Sequence, residues 1–255
     1  MENAFGHPQN VVVFAGSSEI ARAITKKLCA ARAHTVILAG RHQDALDEAA
    51  REALDYGASR TETVIFDAED VAGAAGAVRE AFEKAGDSVD MVVMAVGLLG
   101  NQLRDQSDPD AAARVITVNF TWPVTALSEV RTRLLAQGRG RIVVLSSVGA
   151  VRVRASAYLY GGAKAGLDRL CQGMADSLRG TGVSLHIVRP GAVRTRMTEG
   201  LREVPFTTGV NEVATNVMKG LDRGDEVIWS PPVLRVVYAV LRHLPGPLWR
   251  KVMDR

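Results

Sequence analysis

Tyr160 and Lys164 stand four residues apart in the segment AYLYGGAKAG, and Ser147 precedes Tyr160 by thirteen. A free tyrosine titrates at about pH 10 and is a poor proton donor or acceptor at neutrality. An ammonium beside it favours the phenolate and brings proton exchange with a carbonyl oxygen within reach. On a helix, a spacing of four puts both side chains on one face. A serine hydroxyl at a nearby strand end can then donate to the oxygen on which charge develops. By residue type alone, this set points to the interconversion of a carbonyl and an alcohol. Tyr158 offers no such pair, because residue 162 is a glycine.

Residues of this kind need rigid elements behind them. Short apolar and β-branched runs recur at Val11–Ala15, Thr35–Ala39, Thr63–Phe66, Met91–Ala95, Ile142–Ser146, Ser184–Val188 and Glu226–Trp229. Most are continuously apolar, as strands covered on both faces are. The segments between them carry helical spacing, as in Ile20, Ile24 and Leu28. Strand–helix alternation of this sort predicts an α/β fold: a single doubly wound, Rossmann-like parallel sheet of about seven strands with helices on both faces. One domain is expected over residues 1–230, followed by a tail at 231–255. Ligands of such sheets sit beyond the carboxyl ends of the strands, which is where Ser147 falls.

At these strand ends the chain resembles the short-chain dehydrogenases/reductases over essentially its whole length. The family's Asn-Ser-Tyr-Lys tetrad maps onto Asn119 (in VNF), Ser147, Tyr160 and Lys164. The resemblance implies that Tyr160 is the acid/base and that Ser147 orients the substrate. It implies further that Lys164 holds the nicotinamide ribose and lowers the Tyr160 pKa, and that Asn119 maintains a water-linked proton relay. The thirteen-residue spacing favours Ser147 over its neighbour Ser146. VRPGAVRTRM fits the family's PGxxxT segment, which places Pro190, Gly191, Val193 and Thr195 against the nicotinamide.

The cofactor turn departs from the family pattern. In FAGSSEIA the three glycines of TGxxxGxG are replaced by Ala15, Glu19 and Ala21. Those glycines serve a tight turn, close approach to pyrophosphate and close helix–strand contact. Ala15, Ser17, Ser18, Glu19 and Ile20 are expected at the phosphates, with Gly16 and the two serines supplying N–H groups and hydroxyls. A carboxylate at Glu19 about 5 Å from a phosphate would cost roughly 1–3 kcal/mol unless it points away. After the second strand Gly40 stands where an NAD binder carries an acid, and Arg41 follows. The cofactor is therefore expected to be NAD(P)H, leaning to NADPH because Arg41 can pair with a 2′-phosphate. Asp67 matches the family's adenine-contacting aspartate. In MAVGLLG, Met94 and Ala95 replace two asparagines of the family's NNAG, and Gly97 keeps its glycine.

Composition narrows the field further. A net charge of +3 without a long basic block or aromatic platform gives no reason to expect nucleic acid. Cys29 and Cys171 have neither CxxC spacing nor histidine neighbours and read as buried thiols; no metal site is expected. Neither a secretion signal nor an apolar run long enough to span a bilayer is evident. The tail interleaves Val236, Val237, Val240, Leu241 and Leu244 with Arg235, Arg242, His243, Arg250 and Lys251, and Trp249 lies near its end. That pattern suits either an interfacial anchor or a helix lying on the domain. A cytoplasmic, peripherally membrane-associated protein is expected.

A narrower likeness lies in HPQ, SSEI, VGLLGN, VRVRASAYLYGGAKAGLD, VRPGAVRTRM and VLRHLPGPLWRK, which look like the reductases of actinobacterial cell-wall arabinan synthesis. The resemblance implies a decaprenylphosphoryl 2-keto-pentose as substrate, decaprenylphosphoryl-arabinose as product, and a flavin-dependent epimerase-oxidase as partner. Arg152, Arg154, Arg194 and Arg196 are the candidates for the phosphate. A different carbonyl substrate, acyl or steroid, stays open, as does a non-catalytic dinucleotide sensor. Family resemblance also implies a homo-oligomer.

Overall fold

Seven of these runs become strands of one sheet in the computed structural model, which describes residues 7–86 and 88–253. They are β1 (Asn10–Phe14), β2 (Thr35–Gly40), β3 (Arg60–Ile65), β4 (Met91–Met94), β5 (Gly140–Leu145), β6 (Val183–Pro190) and β9 (Val227–Ser230). The order is β3-β2-β1-β4-β5-β6-β9, and every neighbouring pair is parallel. The short β7 (Val193–Arg194) and β8 (Thr208–Gly209) pair separately and bracket the loop above the sheet. Strand β3 begins three residues before the predicted Thr63. It lies at the sheet edge, and Arg60 there is exposed, so it lacks the continuous apolar signal.

Alternate strand residues feed two cores. Val12 and Phe14 face α3 (Ala74–Lys84), α6 (Trp122–Gln137) and α7 (Tyr158–Ser177). Val11 and Val13 face α1 (Glu19–Ala30), α2 (Gln43–Asp55) and α8 (Val210–Arg223). The chain reverses its direction of winding between β1 and β4, and that switch point opens the crevice where ligands bind in such sheets. Two short helices, α4 (Gln102–Asp105) and α5 (Pro109–Ile116), follow β4.

The tail forms α9 (Leu234–Leu241) and α10 (Gly246–Met253); its last two residues lie outside the described residues. Leu234, Tyr238 and Trp249 are buried against the rest of the molecule. Trp249 is thus not the exposed interfacial edge that the pattern suggested. Val236, Val240 and Leu248 remain 67%, 63% and 53% exposed, so α9 buries one apolar stripe and presents another. Among the described residues, no helix is long and apolar enough to cross a membrane.

Candidate active site

Strand β5 delivers Ser147 to the crevice, and the first turns of α7 bring Tyr160 and Lys164 to the same cavity, of about 500 Å³. Ser147 Oγ accepts from the N–H of Gly149 at 3.0 Å and is hydrogen-bonded to the Tyr160 phenol. Burial pushes the Tyr160 phenol above its usual range, and the Ser147 hydrogen bond opposes that. Lys164 is 3% exposed, and its Nζ donates to the carbonyls of Val96 (3.1 Å) and Leu145 (2.9 Å). Two of three donors are thereby fixed, leaving one for the cavity. Burial pulls the Lys164 ammonium down to about 8.

Asn119 sits in a five-residue π-turn, Thr117–Thr121, at the end of α5. Its Nδ2 donates to Leu98 O (2.6 Å) and Val115 O (2.9 Å), and its Oδ1 accepts from Leu98 N (3.1 Å). Both amide hydrogens are therefore spent on backbone. This side chain clamps the segment after β4 and has no donor left for a relay. Gly97, in that segment, has little spare room: a Cβ there would lie 3.2 Å from Asn119 Oδ1 and 3.3 Å from Lys164 Nζ, tight enough to press on both side chains.

A second cavity of about 240 Å³ continues from the first through their shared residues Ala15, Ser17 and Gly97. Its far end is lined by Arg41, His42, Phe66, Asp67 and Arg114. Together the two cavities form one trough that passes the start of α1. There Ser18 caps the helix by accepting from Ala21 N (3.2 Å). Ala15 adopts φ +59°, the left-handed geometry for which a glycine would be the ordinary choice, so the turn keeps its shape without one. The N–H groups of Gly16 and Ser18 are spent on Ala39 O and Ala15 O, which corrects the expectation that they serve phosphate. Glu19 and Ile20, at the first positions of α1, have N–H groups with no intrahelical acceptor, as at any helix start. The Glu19 carboxylate turns across the crevice to Arg196.

A family model for short-chain dehydrogenases matches residues 9–205. The chain belongs to the short-chain dehydrogenase/reductase family. Among its relatives are oxidoreductases, each named as uncharacterized, of Streptomyces coelicolor and Mycobacterium tuberculosis. The first is 40% identical over 252 residues, covering 99% of both chains. The second is 38% identical over 242 residues, covering 95% of this chain and 96% of the other. In fold the chain is similar to a short-chain dehydrogenase of Burkholderia cenocepacia in complex with NADP, at TM-score 0.79 and 18% identity, covering 95% and 96% of the two chains. It is likewise similar to an actinorhodin polyketide ketoreductase with NADPH, at TM-score 0.75 and 21% identity, covering 87% and 95%.

As a member of this family of oxidoreductases, the chain shows where its own residues fall. Ser146, the neighbour of Ser147, is buried and donates to Asp168 Oδ2 at 2.7 Å. Asp168 also takes the Arg189 guanidinium through Nε (2.9 Å) and Nη2 (2.6 Å), and Gln172 Nε2 at 2.6 Å. Despite burial, this bonding holds the Asp168 carboxyl below its usual range. The cluster pins α7 to the ends of β5 and β6, one turn beyond Lys164. Sequence reading missed it, although Arg189 directly precedes the Pro190–Gly191 turn.

Pro190, Gly191, Val193 and Thr195 all line the first cavity, as expected. The Thr195 N–H donates to Thr198 Oγ1 at 3.2 Å in a capping box that shapes the loop. Three of the four candidate phosphate arginines have other partners. Arg152 Nη1 donates to the carbonyls of Leu241 (3.0 Å), Arg242 (3.2 Å) and Leu244 (2.5 Å), closing the end of α9, and its guanidinium lies over the Trp249 ring. Arg194 pairs with Glu203 at 2.6 Å, and Arg196 lies 3.8 Å from Glu19. Arg154 lines the cavity. The tail's Leu234 and Tyr238 and the loop's Met197, Leu201 and Val204 also line it and were not anticipated. A cavity wall formed so far along the chain leaves no local signature.

Proposed function

We propose that this chain is an NAD(P)H-dependent ketone reductase, with NADPH preferred. One observation carries the reading: Ser147, Tyr160 and Lys164 converge at one end of a trough whose other end presents Arg41 and Asp67. The trough fits a dinucleotide, with Ser17, Ser18, Glu19 and Ile20 beside its pyrophosphate, Pro190, Gly191, Val193 and Thr195 beside the nicotinamide, and Arg41 at a 2′-phosphate. When bound, that cofactor supplies a hydride to the carbonyl carbon.

The chain's own residues supply the rest. Ser147 donates a hydrogen bond to the carbonyl oxygen and holds it at Tyr160. The Tyr160 phenol, kept protonated by burial, gives its proton to that oxygen as negative charge develops. Lys164, braced on Val96 O and Leu145 O, offers its remaining N–H to the cofactor ribose and favours the phenolate left behind. Asn119 acts as a positioning residue for Gly97 and Leu98.

The apolar wall built by Leu99, Met197, Leu201, Val204 and Leu234 favours a ketone on a long apolar carrier. The finer reading is the 2-keto-pentose of a prenyl phosphate, made by a flavin-dependent oxidase partner and reduced at a membrane surface. The segment-level likeness supports that substrate, and the exposed Val236 and Val240 among tail arginines support a peripheral membrane contact.

The test is turnover of a prenylphosphoryl 2-keto-pentose, made with the oxidase, and of a plain long-chain ketone, with the wild type and Tyr160→Phe. Tyr160→Phe should lose about a thousandfold or more in kcat, within the range general acid catalysis contributes, while binding NADPH as the wild type does. Equal turnover by the variant would remove Tyr160 from its role; reduction of the plain ketone alone would remove the keto-sugar.

A further inference from the structure

Outside the catalytic cavity lies a vestibule of about 900 Å³, and its charged lining comprises four arginines against three glutamates. Most of that charge is already paired. Arg194 holds Glu203, and Glu19 holds Arg196 through both its backbone N–H and its guanidinium. Arg202 has a partner of its own. Arg154 differs: among the described residues its guanidinium makes no hydrogen bond or ion pair. It is also the arginine, with Arg196, that lines both the vestibule and the inner cavity.

Its place is set by the backbone. Arg154 is the extended residue that starts the short turn Ala155–Ala157, directly before α7 and six residues before Tyr160. The turn fixes where the side chain leaves the chain relative to the catalytic tyrosine. The wall between the two is mixed: Leu99, Leu201 and Val204 are among its apolar members, and Thr195, Thr198 and the paired Glu19 and Arg196 are its polar ones. A guanidinium at the mouth of such a channel attracts an oxyanion and, with its planar fork, can take two of its oxygens at once.

We infer that Arg154 is the anion-reading residue of this site, and that the ketone reduced at Tyr160 carries a phosphate or carboxylate held at the cavity mouth. This deepens the reductase reading and rests on it for the word ketone, though the anion site itself does not depend on turnover. The apolar part of the substrate lies along the Leu99, Leu201 and Val204 wall, and the anion stays at the wet end where it remains partly solvated.

Titration calorimetry with decyl phosphate, decanoate and decanol tests it, using the full chain as wild type, Arg154→Gln and Arg194→Gln. Both substituted side chains are exposed, so the fold should survive, and a melting curve checks that. The wild type should bind at least one anion about tenfold or more tighter than decanol, the scale of a charge-assisted hydrogen bond. Arg154→Gln should erase that preference, and Arg194→Gln should keep it. The two anions separate a phosphate site from a carboxylate site. Equal binding of all three probes, no binding of either anion, or a preference that survives Arg154→Gln overturns the assignment. Anion preference without reduction of any ketone would keep Arg154 and sink the reductase reading instead.

Discussion

The Glu19 carboxylate accepts a 2.7 Å hydrogen bond from the backbone N–H of Arg196. It joins the first turn of α1 to the loop between β7 and β8, across 177 residues of sequence. The residue that replaces a glycine of the cofactor turn thus ties the floor of the cofactor trough to the roof of the substrate cavity. Met197, Leu201 and Val204, which line that roof, follow within the same loop.

Glu19→Ala should therefore loosen the loop more than it alters the cofactor. A partly exposed charged acceptor on a backbone N–H contributes about 1 kcal/mol, so KM for the carbonyl substrate should rise about fivefold. Cofactor Kd should change by less than about twofold, since the carboxylate is already held by the Arg196 N–H and guanidinium. Glu19→Gln keeps an acceptor oxygen and should stay near wild type. Steady-state kinetics with calorimetric cofactor titration check this; tighter NADPH binding by Glu19→Ala would instead mean that the carboxylate repels the pyrophosphate.

Arg41 is exposed, lines the second cavity, and makes a 3.1 Å contact from its Nε to His42 Nε2; the proposed NADPH preference rests on it. Arg41→Ala should weaken NADPH by about tenfold or more, the range of a charged hydrogen bond, and leave NADH within about twofold. Fluorescence titration with both cofactors reads the difference. Equal losses would make Arg41 a surface residue.

Lys164 makes a signed prediction about stability. Burial lowers its folded-state value from 10.5 to about 8. Between those values the unfolded chain binds a proton that the folded chain does not, so this group's contribution to stability rises as pH rises from about 8 to about 10.5. Below about 8 both states are protonated and the burial penalty is felt in full. Urea unfolding of wild type and Lys164→Met at pH 7 and pH 10 isolates the effect, because other titrations cancel in the difference. That difference should shift toward the wild type at pH 10, and a pH-independent difference would show that burial does not lower the lysine.

For the tail, substitution is a cleaner probe than deletion. Removing residues 233–255 would strip Leu234 and Tyr238 from the cavity wall and the carbonyl partners from Arg152. Val236→Asp with Val240→Asp changes only the exposed stripe of α9. The pair should lower sedimentation with anionic vesicles while the melting temperature stays within about 2 °C, as for surface substitutions generally. Unchanged sedimentation would leave α9 with no membrane role.

Much of this protein was legible in its sequence because the signals are local. Continuous apolar runs marked the buried strands β1, β2, β4 and β5, whereas the edge strand β3 was misjudged at its start for want of that signal. The spacing of Tyr160 and Lys164 placed both on one face of α7, and Ser147 followed from its position at the end of β5. Such features depend on residues within a turn or a strand of one another, so their period suffices. Partner choice does not. Glu19 could repel a phosphate or leave it alone, and only the return of the chain at Arg196 decided which way it turns. Four loop arginines were alike by type until folding set Arg152 on the carbonyls of α9, Arg194 on Glu203 and Arg196 on Glu19, and left Arg154 facing the cavity. Side-chain pairing across such distances is fixed by where the sheet brings distant loops together, and no local period encodes that.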